Sequence, residues 1–203
     1  MLLDAEDSQL VLLDYQQRLM PAIHDGTAVL AQAVRLARMA ALLEVPIWLA
    51  QQNPAGLGPT VAPLRDALPA AQAVLDKQEF SAAPVLLPRL KPAARPQAGN
   101  ARSLPRHLQK PAAAPAPGRG TLVLAGCEAH VCLLQTALEL LEEEFEVWVV
   151  TDACGSRTER NRDAAFDRLA GAGVELVTTE MVAFEWLRAS QHPRFREVLE
   201  LIK

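Results

Sequence analysis

The sequence predicts an α/β fold in three α/β/α layers: an open, mainly parallel six-stranded sheet with helices on both faces. Short unbroken apolar runs recur along the chain, the pattern of strands buried on both faces. Between them lie stretches whose apolar residues return at helical spacing, and alternating β and α elements imply a parallel sheet with crossover helices. Length agrees: 203 residues, half of them hydrophobic, suit one α/β domain over residues 1–203 with a substantial core.

Taken in order, Leu10 to Leu13 reads as the first strand, ending at Asp14. Val29, Ala33, Leu36, Ala40 and Leu43 mark a helix. Pro46 to Ala50 is the second strand, followed by the turn-rich QQNPAGLGPT. Pro63 to Leu68 allows a short helix, and Ala73 to Leu75 is a third strand leading to Asp76 and Lys77. Leu122 to Ala125 is the fourth strand, and Gly126 ends it. From about His130 the residues Val131, Leu134, Ala137, Leu138 and Leu141 recur at helical spacing, with Cys132 in the first turn. Val147 to Val150 is the fifth strand, and a helix through Ala164, Ala165, Leu169 and Ala172 stops at Gly173. Val174 to Val177 is the sixth, and the C-terminal stretch is helical with a break near Pro193. Lys91 to Gly118, rich in Pro, Ala, Arg and Gly without an acidic residue, does not fit. It buries too little apolar surface to offset the entropy of ordering and is expected as a solvated insertion.

Charge and cysteine usage bound the function. The net charge of −4 does not point to nucleic acid as the partner. No apolar run approaches the roughly 20 residues that cross a bilayer, so no membrane is expected. The acidic start MLLDAEDSQ is not a signal peptide, and three cysteines are an odd count. Both suggest a reduced, cytoplasmic setting. The four His residues are scattered and show no metal-ligand spacing, so no metal and no cofactor are expected.

In an open α/β sheet, ligands bind beyond the C-terminal ends of the strands. Asp14, Lys77 and Cys132 all fall there, from three distant segments. A cysteine in the first turn of a helix gains from the unpartnered N–H groups and the helix dipole, so its thiol pKa is expected to fall. An Asp beside it can take the thiol proton and return it to a leaving group, and a Lys ammonium stabilises both anions. Each has a plainer reading: Cys132 as core, Asp14 as a helix cap, Lys77 as a surface charge. His130, Ser156 and Arg157 read as structural, and Cys127 as packing. Cys154 could lie near the rim. Phe184, Trp186 and Phe195 suit packing or a subunit interface.

The chain resembles the isochorismatase-like cysteine hydrolases. Their D-x-Q, K-x-x-[FY]-S and G-x-E-x-x-x-C segments stand here as Asp14-Tyr15-Gln16, Lys77 to Ser81, and Gly126 to Cys132. GLGPT and EAHVC are most similar to the isochorismatase-domain-containing subgroup of undefined substrate. The resemblance implies a catalytic Cys132–Asp14–Lys77 triad and a cis peptide at Cys127–Glu128. It also implies an oxyanion hole from the N–H groups of Glu128 and Cys132, a small-molecule substrate and a homo-oligomer, dimer or larger. The implied reaction is hydrolysis of an amide-type C–N bond through a thioester; a non-catalytic binding or scaffold member is the alternative. Gln51 to Leu57 holds the place of the Asp and His ligands of nicotinamidases, and Cys132 is atypical of isochorismatases proper, so both activities are disfavoured.

Overall fold

The computed structural model describes residues 2–68, 73–90 and 119–203. Two adjacent strands, β1 (Ser8–Leu13) and β4 (Thr121–Gly126), are buried along their whole length. Their polar positions are satisfied internally, as burial demands. Trp186 Nε1 donates to Ser8 Oγ (3.0 Å), and Trp48 Nε1 donates to Gln9 Oε1 (2.9 Å).

The remaining strands are β2 (Ile47–Gln52), β3 (Val74–Lys77), β5 (Glu146–Val150) and β6 (Glu175–Val177). The sheet runs β3-β2-β1-β4-β5-β6, and every neighbouring pair is parallel. The chain winds outward from β1 through β2 to β3, then returns to β4 on the other side of β1. The β1/β4 boundary is therefore the topological switch point, where such sheets open a crevice at their C-terminal rim. The helices α1 (Gly26–Leu42), α7 (Thr179–Leu187) and α8 (Phe195–Ile202) pack together. A second group is α4 (Ala83–Leu90), α5 (Leu134–Glu142) and α6 (Glu159–Gly171). Two single-turn helices, α2 (Pro54–Leu57) and α3 (Ala62–Arg65), lie between β2 and β3.

Three departures from the sequence reading have physical causes. The helix α4 falls on APVLLPRL, a stretch the sequence reading leaves unassigned. Pro84 falls in the first turn, where its missing N–H has no partner to lose, while Pro88 lies inside the helix and removes a donor from its last turn. The strand β3 begins one residue later and extends through Asp76 and Lys77, which pair in register with Gln51 and Gln52. The helix after β4 begins at Leu134; Ala129–Leu133, which contains Cys132, forms a wide π-type turn instead. Residues 91–118, the expected insertion, lie outside the described residues. Among the described residues no helix is long and apolar enough to cross a membrane.

Gly126 marks where β4 and β1 touch most closely. A Cβ at that position would stand 2.6 Å from both the Cβ and the carbonyl oxygen of Leu13. Gly126→Ala must therefore push two central strands apart and should cost about 1–3 kcal/mol, read as a lower midpoint in urea unfolding.

Candidate active site

Asp14 ends β1 in the left-handed region, at φ 60°. Among non-glycine residues Asp tolerates that region better than most. The turn aims its carboxylate along the rim and into the protein. Lys77 Nζ, from the end of β3, meets it: the ammonium lies 2.8 Å from Asp14 Oδ2, and both side chains are fully buried. Lys77 also donates to Gln52 Oε1 (2.7 Å) and to the carbonyls of Phe80 (3.0 Å) and Glu79 (3.4 Å). An ammonium has three hydrogens, so this one is fully engaged. Asp14 Oδ1, by contrast, is buried and accepts no hydrogen bond among the described residues.

Gln16 ties the rim together. Its amide donates to the carbonyls of Gln52 (2.9 Å) and Gly58 (2.7 Å), and its oxygen accepts the Gln52 N–H (2.8 Å). Gln52 is thus held by Gln16 while its own side chain receives Lys77. Sequence reasoning missed Gln52; its signal was a polar pair, Gln51-Gln52, closing a strand that is otherwise apolar.

Cys132 is positioned from the helix side. Thr136 Oγ donates to the Cys132 carbonyl (2.7 Å) and accepts the Ala82 N–H (2.8 Å), linking the π-type turn to the start of α4. Ser81 Oγ donates to Glu139 Oε2 (2.6 Å), binding the same two segments again. The peptide Cys127–Glu128 is cis. The Glu128 N–H has no acceptor among the described residues, and its side chain accepts both the Arg157 N–H (2.9 Å) and Arg157 Nε (3.1 Å). His130 is held at both ring nitrogens, by Ser156 Oγ (3.0 Å) and Asn161 (3.4 Å), and so serves the turn.

Asp14, Cys132, Gln52, Glu128 and Arg157 share one cavity of about 360 Å³. Leu19, Ala22, Leu57, Phe80 and Val131 complete its wall. Lys77 lies beneath, behind Asp14. The three rim residues therefore come together, and Cys132 and Asp14 face the same space. Cys127 and Cys154 are fully buried and do not line it. Burial pushes the Cys154 thiol up to about 12 and raises the Cys127 thiol as well. No group of three acidic, His or Cys side chains among the described residues could hold a metal.

The lowered thiol pKa expected for Cys132 is corrected by these surroundings. Burial, and next the negative Asp14, push the thiol up to about 12, against the pull of Lys77. The π-type turn also removes the premise, since Cys132 does not sit in the first turn of an α-helix. Burial likewise raises the Asp14 carboxyl above its usual value, with Lys77 opposing. Burial thus works against ionisation of both the thiol and the carboxyl, and the Lys77 charge works for it in both.

The comparisons agree with this architecture. The family model for the isochorismatase domain matches residues 8–181. Isochorismatase domain-containing protein 2A of Mus musculus is 35% identical over 200 residues, 98% of this chain and 84% of that protein. The chain belongs to the isochorismatase family. Among solved structures, one titled MAR1 ribonuclease from Caenorhabditis elegans is 30% identical with a TM-score of 0.84, covering 100% of this chain and 92% of that one. YcaC from Pseudomonas aeruginosa, with hexane-2,5-diol and covalent acrylamide, is 26% identical at TM-score 0.80, covering 98% and 91%. The Escherichia coli YcaC product, described as an octameric hydrolase of unknown specificity, is 25% identical at TM-score 0.77, covering 98% and 95%.

Two outcomes follow from the geometry. Lys77→Met strands the Asp14 carboxylate in the interior and should cost about 3–5 kcal/mol in urea unfolding; pairing it with Asp14→Asn should recover most of that loss. Asp14→Asn alone removes the like charge beside the thiol and leaves Lys77, so the Cys132 pKa should fall from about 12. The pH profile of iodoacetamide alkylation should then move to lower pH.

Proposed function

We propose that the chain is a metal-independent cysteine hydrolase that cleaves an amide-type C–N bond of a small molecule. The observation that carries this reading is the unpartnered Asp14 Oδ1, buried beside the Cys132 thiol while Oδ2 is held by Lys77. A carboxylate so placed has one oxygen fixed and the other free to move a proton.

In the proposed reaction Cys132 Sγ attacks the substrate carbonyl as its proton passes to Asp14. The new C–S bond forms and the carbonyl electrons move to oxygen. That oxyanion is received by the N–H groups of Glu128 and Cys132; the Glu128 N–H is available for it. Collapse breaks the C–N bond, and Asp14 returns the proton to the departing ammonia or amine. Water then attacks the thioester carbonyl, giving its proton to Asp14. Collapse releases the carboxylic acid, and the proton on Asp14 restores the thiol. Lys77, with all its hydrogens engaged, acts through charge: it opposes the effect of burial and favours the ionised form of Asp14.

A protonated resting thiol suits this scheme, because the thiolate need form only as the bond to carbon forms. Covalent acrylamide on the P. aeruginosa relative supports a nucleophile reachable from a shared fold. Gln51 and Gln52 stand where a metal site would need Asp and His, and Gln52 Oε1 is taken by Lys77, which supports the metal-independent route. The C. elegans relative is described as a ribonuclease. Here the cavity is small and largely apolar, and Arg157 Nε is committed to Glu128, which argues for a small molecule over RNA. We take the chain as one isochorismatase-like domain acting in the reducing cytoplasm, with its three cysteines as free thiols. The octameric E. coli relative supports a homo-oligomer.

A screen of amide, ureido and carbamoyl compounds against wild type and Cys132→Ala tests the reading. Hydrolysis by wild type should be abolished in the variant, and turnover retained by Cys132→Ala would sink it. Asp14 must be ionised to accept the proton, so kcat/KM should rise with pH through an acid limb placed above the usual carboxylate value of 3.8.

A further inference from the structure

We infer that the substrate is an uncharged amide with an apolar acyl group of a few carbons; this rests on the hydrolase reading above. Among the described residues, every charged group on or beneath the cavity has a partner of opposite sign: Asp14 with Lys77, Glu128 with Arg157. Their sum is zero. A charged substrate would bring an uncompensated charge into the pocket.

The rest of the wall is hydrocarbon: Leu19, Ala22, Leu57, Val131 and Phe80. Phe80 is the telling residue. The residue is 56% exposed, yet its backbone is fixed, because its carbonyl accepts from Lys77 Nζ at 3.0 Å. An aromatic ring held open to water beside a concave site is apolar area that a ligand can cover. Arg157 does not offset this. Its side chain is 61% exposed and its Nε and backbone N–H both donate to Glu128, whose carboxylate would meet an incoming anion at the same wall.

Size follows from the volume. A cavity of about 360 Å³, filled near interior packing density, holds roughly a dozen non-hydrogen atoms. The amide carbonyl takes the place beside Cys132 and the Glu128 N–H, and the acyl chain lies against Leu19, Leu57 and Phe80. Hydrolysis releases ammonia and the matching short- to medium-chain carboxylic acid.

The test is a series of acetamide, butyramide and hexanamide, with succinamate and β-alaninamide as anionic and cationic controls of similar size. Two readouts are taken on the same protein: kcat/KM, and protection of Cys132 from iodoacetamide, which needs no turnover. Each buried methylene should raise kcat/KM and protection by about fourfold, with both charged controls at least tenfold below butyramide. Phe80→Ala and Leu57→Ser should each flatten the series. Flat dependence on chain length, or succinamate or β-alaninamide handled as well as butyramide, overturns the inference and leaves the hydrolase reading intact. Protection that grows with chain length without hydrolysis overturns the hydrolase reading and keeps the apolar site. Neither protection nor hydrolysis overturns both.

Discussion

The buried contact between Lys77 and Asp14 is the constraint on which the site depends. Two opposite charges withdrawn from water hold their place only when their remaining bonding capacity is met. Gln52 and two backbone carbonyls meet it for the ammonium, and Gln16 fixes Gln52 in turn. Along the sheet order β3-β2-β1-β4, the rim therefore presents lysine and glutamine from the ends of β3 and β2, aspartate from just past β1, and cysteine from the turn after β4. No local segment could assemble that row. It exists because the parallel register ends β3 with β2 and β1 with β4: Gln52 with Lys77, Leu13 with Gly126.

The thiol illustrates a competition between local and tertiary effects. A helix start lowers a cysteine pKa by a modest, screened field. Burial and an adjacent carboxylate raise it by more, and here they prevail. In the proposed reaction the carboxylate accepts the proton during attack, with the lysine charge as its counterweight. Substitutions around the site act on this balance of three groups, and a residue studied alone would mislead.

Much of the fold was legible because each strand is an unbroken apolar run and each main helix has a clear period. The rim position of Asp14, Lys77 and Cys132 was legible for the same reason: strand ends can be read from where apolar runs stop. What escaped was set by three-dimensional context. APVLLPRL forms a helix although Pro88 lies inside it. The π-type turn at Ala129–Leu133 has the same apolar spacing as an α-helix over so short a span. Gln52 and Thr136 carry no motif, and their roles appear only once β2 lies beside β3 and α5 beside α4. The cavity wall joins Leu19 and Phe80 from two loops with Leu57 from the helix α2, which no periodicity connects.

The lysine of this row comes from β3, a four-residue strand with a single neighbour at the margin of the sheet. Margins of sheets detach at lower free energy than their centres. Peeling β3 away withdraws the ammonium while β1 and β4, carrying the carboxylate and the sulfur, stay in the heart of the molecule. Fraying at that edge would pull the proposed triad apart while the central strands stay folded.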